Sequence, residues 1–183
     1  AQTGSVTVKL NTSIVMLPKE PMQPRFADDR VGFFQNSLTE FSDDQQTTDR
    51  GAIIQRYRLE PKDPERYRRG QLSEPKNPII YYIDPATPKK WIPYLKAGVE
   101  DWNTAFEAAG FKNAIIAKEW PNDPNMSLDD ARYSVIRYLP SETENAYGPR
   151  IVDPRSGEIM ESHICWYHNV MNLLKKWYID RKS

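Results

Sequence analysis

Cysteine and histidine are nearly absent from this chain, and their scarcity excludes more chemistry than any motif supplies. The one cysteine, Cys165, cannot close an internal disulfide, which leaves the redox compartment undecided. The two histidines, His163 and His168, stand five residues apart. A zinc-binding helix needs its ligands three or four residues apart; a spacing of five turns about 140° round the helix, so HICWYH is not a displaced HExxH. The pair reads as a strand-end histidine and a helix-surface histidine. The eight glycines form no cluster that could cradle a phosphate, and no serine sits in a G-x-S-x-G elbow. No apolar run approaches the ~18 residues of a membrane span, and the N-terminus lacks the basic-then-apolar pattern of an export signal. With 25 basic and 25 acidic residues the charges cancel, so no global field favours nucleic acid or an anionic membrane.

What remains is a chain long enough to bury a core, with 39% hydrophobic residues and 15 prolines that punctuate periodic segments. Val6, Val8 and Leu10 alternate, and Ile14 to Leu17 run apolar, which predicts two strands within residues 5–17. Residues 35–50 are polar and turn-rich and read as a surface loop; Ile53–Leu59 reads as a strand. Residues 61–78 are charged and broken by prolines, a connector with room for a short helical turn. The organisation expected is a β-rich extension over 1–60, the connector, and an α/β unit over 79–183.

Within that unit Ile79–Ile83 is a strand covered on both faces. Thr87-Pro88 suits a helix entry, and Leu95, Val99, Trp102, Phe106 and Ala109 form one apolar stripe to a stop at Gly110. Ala114–Ala117 then completes a strand–helix–strand crossover with parallel strands. Ser127 to Asp130 has the outline of a capping box. Ser134–Leu139 is a third strand, and Ile151-Val152 with Ile159–Ile164 flank a turn sequence and predict a hairpin. From about Trp166 a helix is expected, with Trp166, Val170, Leu173 and Trp177 on one face.

Isolated candidates for chemistry resolve into structural roles. Glu158 and Glu161 are an odd spacing apart and leave opposite faces of a strand. Cys165 has no surroundings that would activate a thiolate. The basic run Lys62–Arg69 is interrupted by Asp63 and Glu65 and reads as a solvated loop rather than a nucleic-acid patch.

The segments DDRVGFF (28–34), PIIYYIDPATPKKWIPYLKAGVEDWNTAFEAAGFKNAI (78–115) and DPRSGEIMESHICWYHNVM (153–171) resemble the large zinc-dependent, metzincin-like metalloproteases of Bacteroides-type bacteria. The resemblance implies a zincin-like half-domain of the α/β (α+β) class: a twisted mixed sheet, a long packing helix and an antiparallel edge hairpin, preceded by a β-rich extension. It implies that Glu158–Ile164 is the cleft-bordering edge strand. Met160, Glu161, Ser162 and His163 would then bind a peptide or protein substrate by strand addition. Matrixins carry a structural-zinc histidine on a similar-looking strand, but the companion ligands of His163 have no counterpart here. The resemblance places the catalytic zinc, its histidines and its glutamate base on a helix beyond Ser183, so this chain alone is expected to be inactive and to bind no zinc. It implies a periplasmic, cell-surface or secreted location, and an incomplete domain would self-associate through exposed apolar surface. A reading from another class is a non-catalytic peptide-binding or scaffold module on the same half-fold.

Overall fold

The computed structural model describes residues 4–41, 46, 47 and 49–181. The chain is mixed α/β. A two-stranded hairpin, β1 (Gln35–Glu40) and β2 (Asp49–Ile54), precedes a short helix α1 (Pro64–Arg68). The main unit follows as β3 (Ile79–Ile83), α2 (Ile92–Glu100), α3 (Asn103–Ala108), β4 (Ile115–Glu119), β5 (Ser134–Leu139), β6 (Ala146–Tyr147), β7 (Arg150–Val152), β8 (Ile159–Tyr167) and α4 (Val170–Asp180). The strand order is β4-β3-β5-β8-β6, with β7 also beside β8. The first four of these strands are mutually parallel, and β6 and β7 run antiparallel to β8.

The expected crossover is present, because β3 and β4 pair in parallel from Ile79↔Ile115 to Ile83↔Glu119 across the intervening helical segment. Ile79, Tyr81, Ile115, Ile136 and Trp166 form the buried cluster, with Leu95, Val99 and Phe106 half-buried against it. Full burial of one such aliphatic side chain is worth ~2 kcal/mol. Gly110, at φ +91, ends α3, and the N–H of Phe111 returns to the Phe106 carbonyl at 2.9 Å, the left-handed stop that glycine permits.

The helix itself departs from expectation in two ways. Thr87 does not cap it: no side-chain cap bond forms, and a 3₁₀ turn over Lys89–Trp91 leads into α2. Asp84 takes over the turn by accepting the Ala86 N–H at 2.8 Å. The single long helix is also divided at Asp101-Trp102, where Trp102, Thr104 and Ala105 each bond three residues back, a local 3₁₀ tightening. The division aims Asn103 at the sheet. Its side-chain oxygen accepts the N–H groups of Ala114 and Ile115 at 2.9 and 3.2 Å, and its amide nitrogen donates to the Ile115 carbonyl at 2.9 Å. One amide thus stands in for a neighbouring strand along the outer edge of β4, an edge that otherwise invites pairing.

Five other expectations are corrected. Residues 5–17 form no strand: Val6, Val8, Leu10, Ile14 and Met16 are exposed, Ile14 by 97%, because a β pattern needs a partner edge and none among the described residues runs beside it. Residues 35–50 are not a plain loop but supply β1 and the start of β2, paired from Gln35↔Ile54 to Glu40↔Asp49, with 42–45 and 48 outside the described residues. Among Gln35–Thr39 of β1 only Asn36 and Leu38 are half-buried, too light a pattern to read as alternation. The strand expected over Ile53–Leu59 ends at Ile54. Ser127–Asp130 is a turn, with Ser127 Oγ accepting the Asp129 N–H. Trp166 belongs to β8, not to a helix, because pairing with β5 continues to Leu139↔Tyr167 and holds the chain extended.

The N-terminal segment is fastened to the sheet at the turn before β8. The Arg56 N–H donates to the Gly157 carbonyl and the Ile159 N–H to the Arg56 carbonyl, both at 2.9 Å. Gly157, at φ +72, lies so close that a Cβ there would sit 2.1 Å from the Ile54 carbonyl oxygen. Gly157→Ala is expected to destabilise the fold by more than ~2 kcal/mol, through both the left-handed backbone and the collision, read as a drop in thermal midpoint. Asn103→Leu is expected to cost ~1–3 kcal/mol by leaving the Ala114 and Ile115 backbone groups without their partner, measured by urea unfolding. An unchanged midpoint would contradict the edge-capping role.

Candidate functional site

The four residues expected to receive a substrate strand all lie on β8, but β8 is not an edge. Glu161 faces Ile151 and Ser162 faces Arg150 across the β7 ladder. The His163 N–H donates to the Pro149 carbonyl at 2.9 Å, and the Ser162 N–H donates to Ser134 Oγ at 3.1 Å. From His163 onward β5 pairs along the other side. The edge assignment of Glu158–Ile164 is therefore corrected. The strand between β5 and solvent is long enough to be paired twice, and the outer position belongs to β6 and β7.

That outer strand is interrupted at Gly148-Pro149, between β6 and β7. Pro149 has no N–H to offer, and proline is confined to edges and breaks in sheets for that reason. Because the Pro149 carbonyl points toward β8, the N–H of Arg150 across the same peptide plane points away from it. Among the described residues no strand pairs with β7 on that outer side. The Arg150 side chain is held out of the way: its guanidinium lies 4.2 Å from the Phe34 ring and donates to Gln55 Oε1 at 3.3 Å. The edge was legible only indirectly, through the Gly-Pro break ahead of Arg150.

His163 is locked rather than poised. Its Nδ1 pairs with the Glu161 carboxylate, and its Nε2 meets the Leu128 carbonyl at 3.1 Å. Two acceptors on one ring favour the imidazolium, and pairing with Glu161 is the largest reason that its pKa is raised. Burial opposes the shift, the Leu128 carbonyl supports it, and the charge of Arg137 opposes it. Arg137 is itself tied to Asp84 at 3.2 Å and Asp129 at 3.0 Å. The imidazolium therefore pins the 127–130 turn onto β8. His168 lies elsewhere, its Nδ1 2.7 Å from the Tyr138 hydroxyl.

Met160 stands apart from its neighbours on β8. It borders a cavity of about 500 Å³ beneath the start of β5, together with Ile80, Tyr82 and Tyr133. A second cavity of about 530 Å³, almost wholly apolar, separates α2 and α3 from the sheet and is walled by Leu95, Val99, Trp102, Ile136 and Trp166. Trp102 and Tyr94 at its mouth are 63% and 71% exposed, so the apolar stripe read from the sequence is only partly covered. Among the described residues no group of three or more His, Cys, Asp or Glu side chains converges as a metal site would require. No described helix is long and apolar enough to cross a membrane.

Residues 1–62 match the model of a domain of unknown function (DUF5117). No curated protein and no solved structure matches the chain. The matched stretch ends just after the segment that bonds Gly157 and Ile159, so it includes the part of the N-terminal region fastened to the sheet.

The raised pKa of His163 sets the sign of a pH effect. Stabilisation from the Glu161–imidazolium–Leu128 contacts is complete below the usual imidazole value of about 6.5 and is lost as pH rises through the raised one. The thermal midpoint of the wild-type chain should exceed that of His163→Gln most below the usual imidazole value of about 6.5, and the gap should narrow as pH rises through the raised value. A gap that widens with pH would show that the histidine is neutral in the fold.

Proposed function

We propose that this chain supplies the sheet, first helix and peptide-binding edge of a zinc-dependent, metzincin-like peptidase. The observation that carries the reading is the sheet: four parallel strands, a crossover helix between the first two, and an antiparallel edge strand with an outward-facing backbone at Arg150. These features support the reading, with the edge one strand further out than the resemblance implied and the long helix divided in two. A peptide laid along β7 would exchange N–H···O bonds with Arg150 as strand addition requires, and the side chain of Arg150, drawn toward Phe34 and Gln55, leaves that approach open.

The residues described here do not fit a catalytic zinc. Both ring nitrogens of His163 already face acceptors, and the Nδ1 of His168 meets a tyrosine hydroxyl. The metal and its ligands, in this reading, belong to other parts of the protein, and the role of this chain is to hold the substrate backbone. A peptide-binding module without catalysis would use the same edge, so the test has to separate binding from cleavage.

The full-length gene product is expected to cleave peptides in a chelator-sensitive manner, whereas residues 1–183 bind without cleaving. Arg150→Pro, which removes the outward N–H, should raise KM by about fivefold or more, the worth of one backbone hydrogen bond, with zinc content unchanged. Binding without hydrolysis in the full-length protein would favour the non-catalytic module. An unaltered KM in Arg150→Pro would remove β7 as the substrate edge.

A further inference from the structure

Arg25 and Arg56 share a wall of a cavity of about 510 Å³ where the N-terminal segment meets the end of α3. The other walls are largely aromatic and apolar, among them Phe33, Tyr67, Phe106 and Phe111. Arg56 donates through one terminal nitrogen to the Gln23 carbonyl at 2.7 Å. Its Nε–H is shut off from solvent and has no hydrogen-bond partner. An unmet buried donor costs ~1–3 kcal/mol, and more where the group is charged, so native folds seldom leave one without something to accept it.

Electrostatics add to the imbalance. Burial is the main cause that lowers the pKa of Arg56, and the charges of Arg25 and Arg58 push the same way. The carboxylate acting on Arg56 is Glu158, and both of its oxygens are engaged by Arg58, at 3.0 Å to Nε and 2.7 Å to a terminal nitrogen. Among the described residues neither Arg25 nor Arg56 has an ion pair with a carboxylate, while Arg58 nearby has two and Arg155 has one. Holding the Gln23 carbonyl accounts for one nitrogen of Arg56. It does not account for a second arginine lining the same cavity, and the Nε–H, which has no solvent-exposed surface, meets a ligand there only after the side chain shifts.

We propose that this cavity binds a carboxylate borne on an apolar or aromatic body, with the carboxylate received by Arg25 and Arg56 and the body lodged among Phe33, Phe106 and Phe111. Guanidinium donors match the two oxygens of a carboxylate in a fork, and the volume falls within the ~300–1,000 Å³ of small-molecule sites. The same chemistry is presented by a free aryl-alkanoic or fatty acid and by the C-terminus of a peptide that ends in an apolar residue. The site uses none of the backbone groups at the Arg150 edge and stands or falls independently of the peptidase reading.

Calorimetric titration of the whole chain tests it, with 4-phenylbutyrate and a tripeptide ending in phenylalanine, each against its uncharged amide. At least one acid should bind, its amide ~10-fold or more weaker, the worth of a charge-assisted hydrogen bond. Arg25→Gln, at an exposed position whose side chain makes no hydrogen bond or ion pair among the described residues, should keep the wild-type thermal midpoint and lose affinity by a similar factor. Binding of phenylbutyrate alone would assign the site to free acids; binding of the tripeptide alone would assign it to peptide C-termini. Binding of neither acid, equal binding of acid and amide, or full affinity in Arg25→Gln would overturn the proposal.

Discussion

The rest of the structure depends on β8 being paired along both of its sides. Its C-terminal half lies parallel to β5, its N-terminal half is antiparallel to β7, and the turn before it receives Arg56 from the N-terminal segment. A strand bonded on both sides has few backbone groups left for a ligand. Strand addition on this side of the sheet would therefore occur one strand further out, at a β7 only three residues long and limited by Pro149. The same pairing fixes His163 between the Glu161 carboxylate and the Leu128 carbonyl, so the histidine serves as a tether.

A second constraint is steric. Gly157 brings the Ile54 backbone within a distance that no side chain would tolerate, and the two bonds through Arg56 make that approach into a join. The N-terminal segment is consequently part of the same folded body up to about Leu59, which packs with Tyr57 against the buried cluster. Tyr57 and Tyr81 complete the contact through their hydroxyls at 2.7 Å. The cavity that holds Arg25 and Arg56 arises at this join, where two differently patterned stretches of sequence meet and neither alone supplies a counter-charge.

The parts that could be read from sequence are those whose pattern is decided locally. The strands at Ile79–Ile83 and Ser134–Leu139, the Gly110 stop and the β7–β8 hairpin all follow from apolar runs and turn residues. What could not be read depends on partners distant in sequence. Alternation in Val6, Val8 and Leu10 has no edge to pair with, while the polar stretch Gln35–Glu40 does find one in Asp49–Ile54. Trp166 has helical spacing to Val170 and Leu173, yet β5 keeps it extended. The capping of β4 by Asn103 and the orphaned Nε of Arg56 involve single side chains at sites that no periodicity marks. The outer position of β7 was obscured because its residues are few and its neighbour β8 carries the stronger pattern.

Residue-resolved hydrogen–deuterium exchange tests the central claim, that β8 is an interior strand and β7 the edge, most directly. The account predicts strong protection at the His163 and Tyr167 amides, which bond the Pro149 and Asn145 carbonyls, and fast exchange at the Arg150 amide, which points outward. Fast exchange at His163 together with protection at Arg150 would mean that β7 does not cover β8, and would return the proposed peptide-binding edge to Met160–His163.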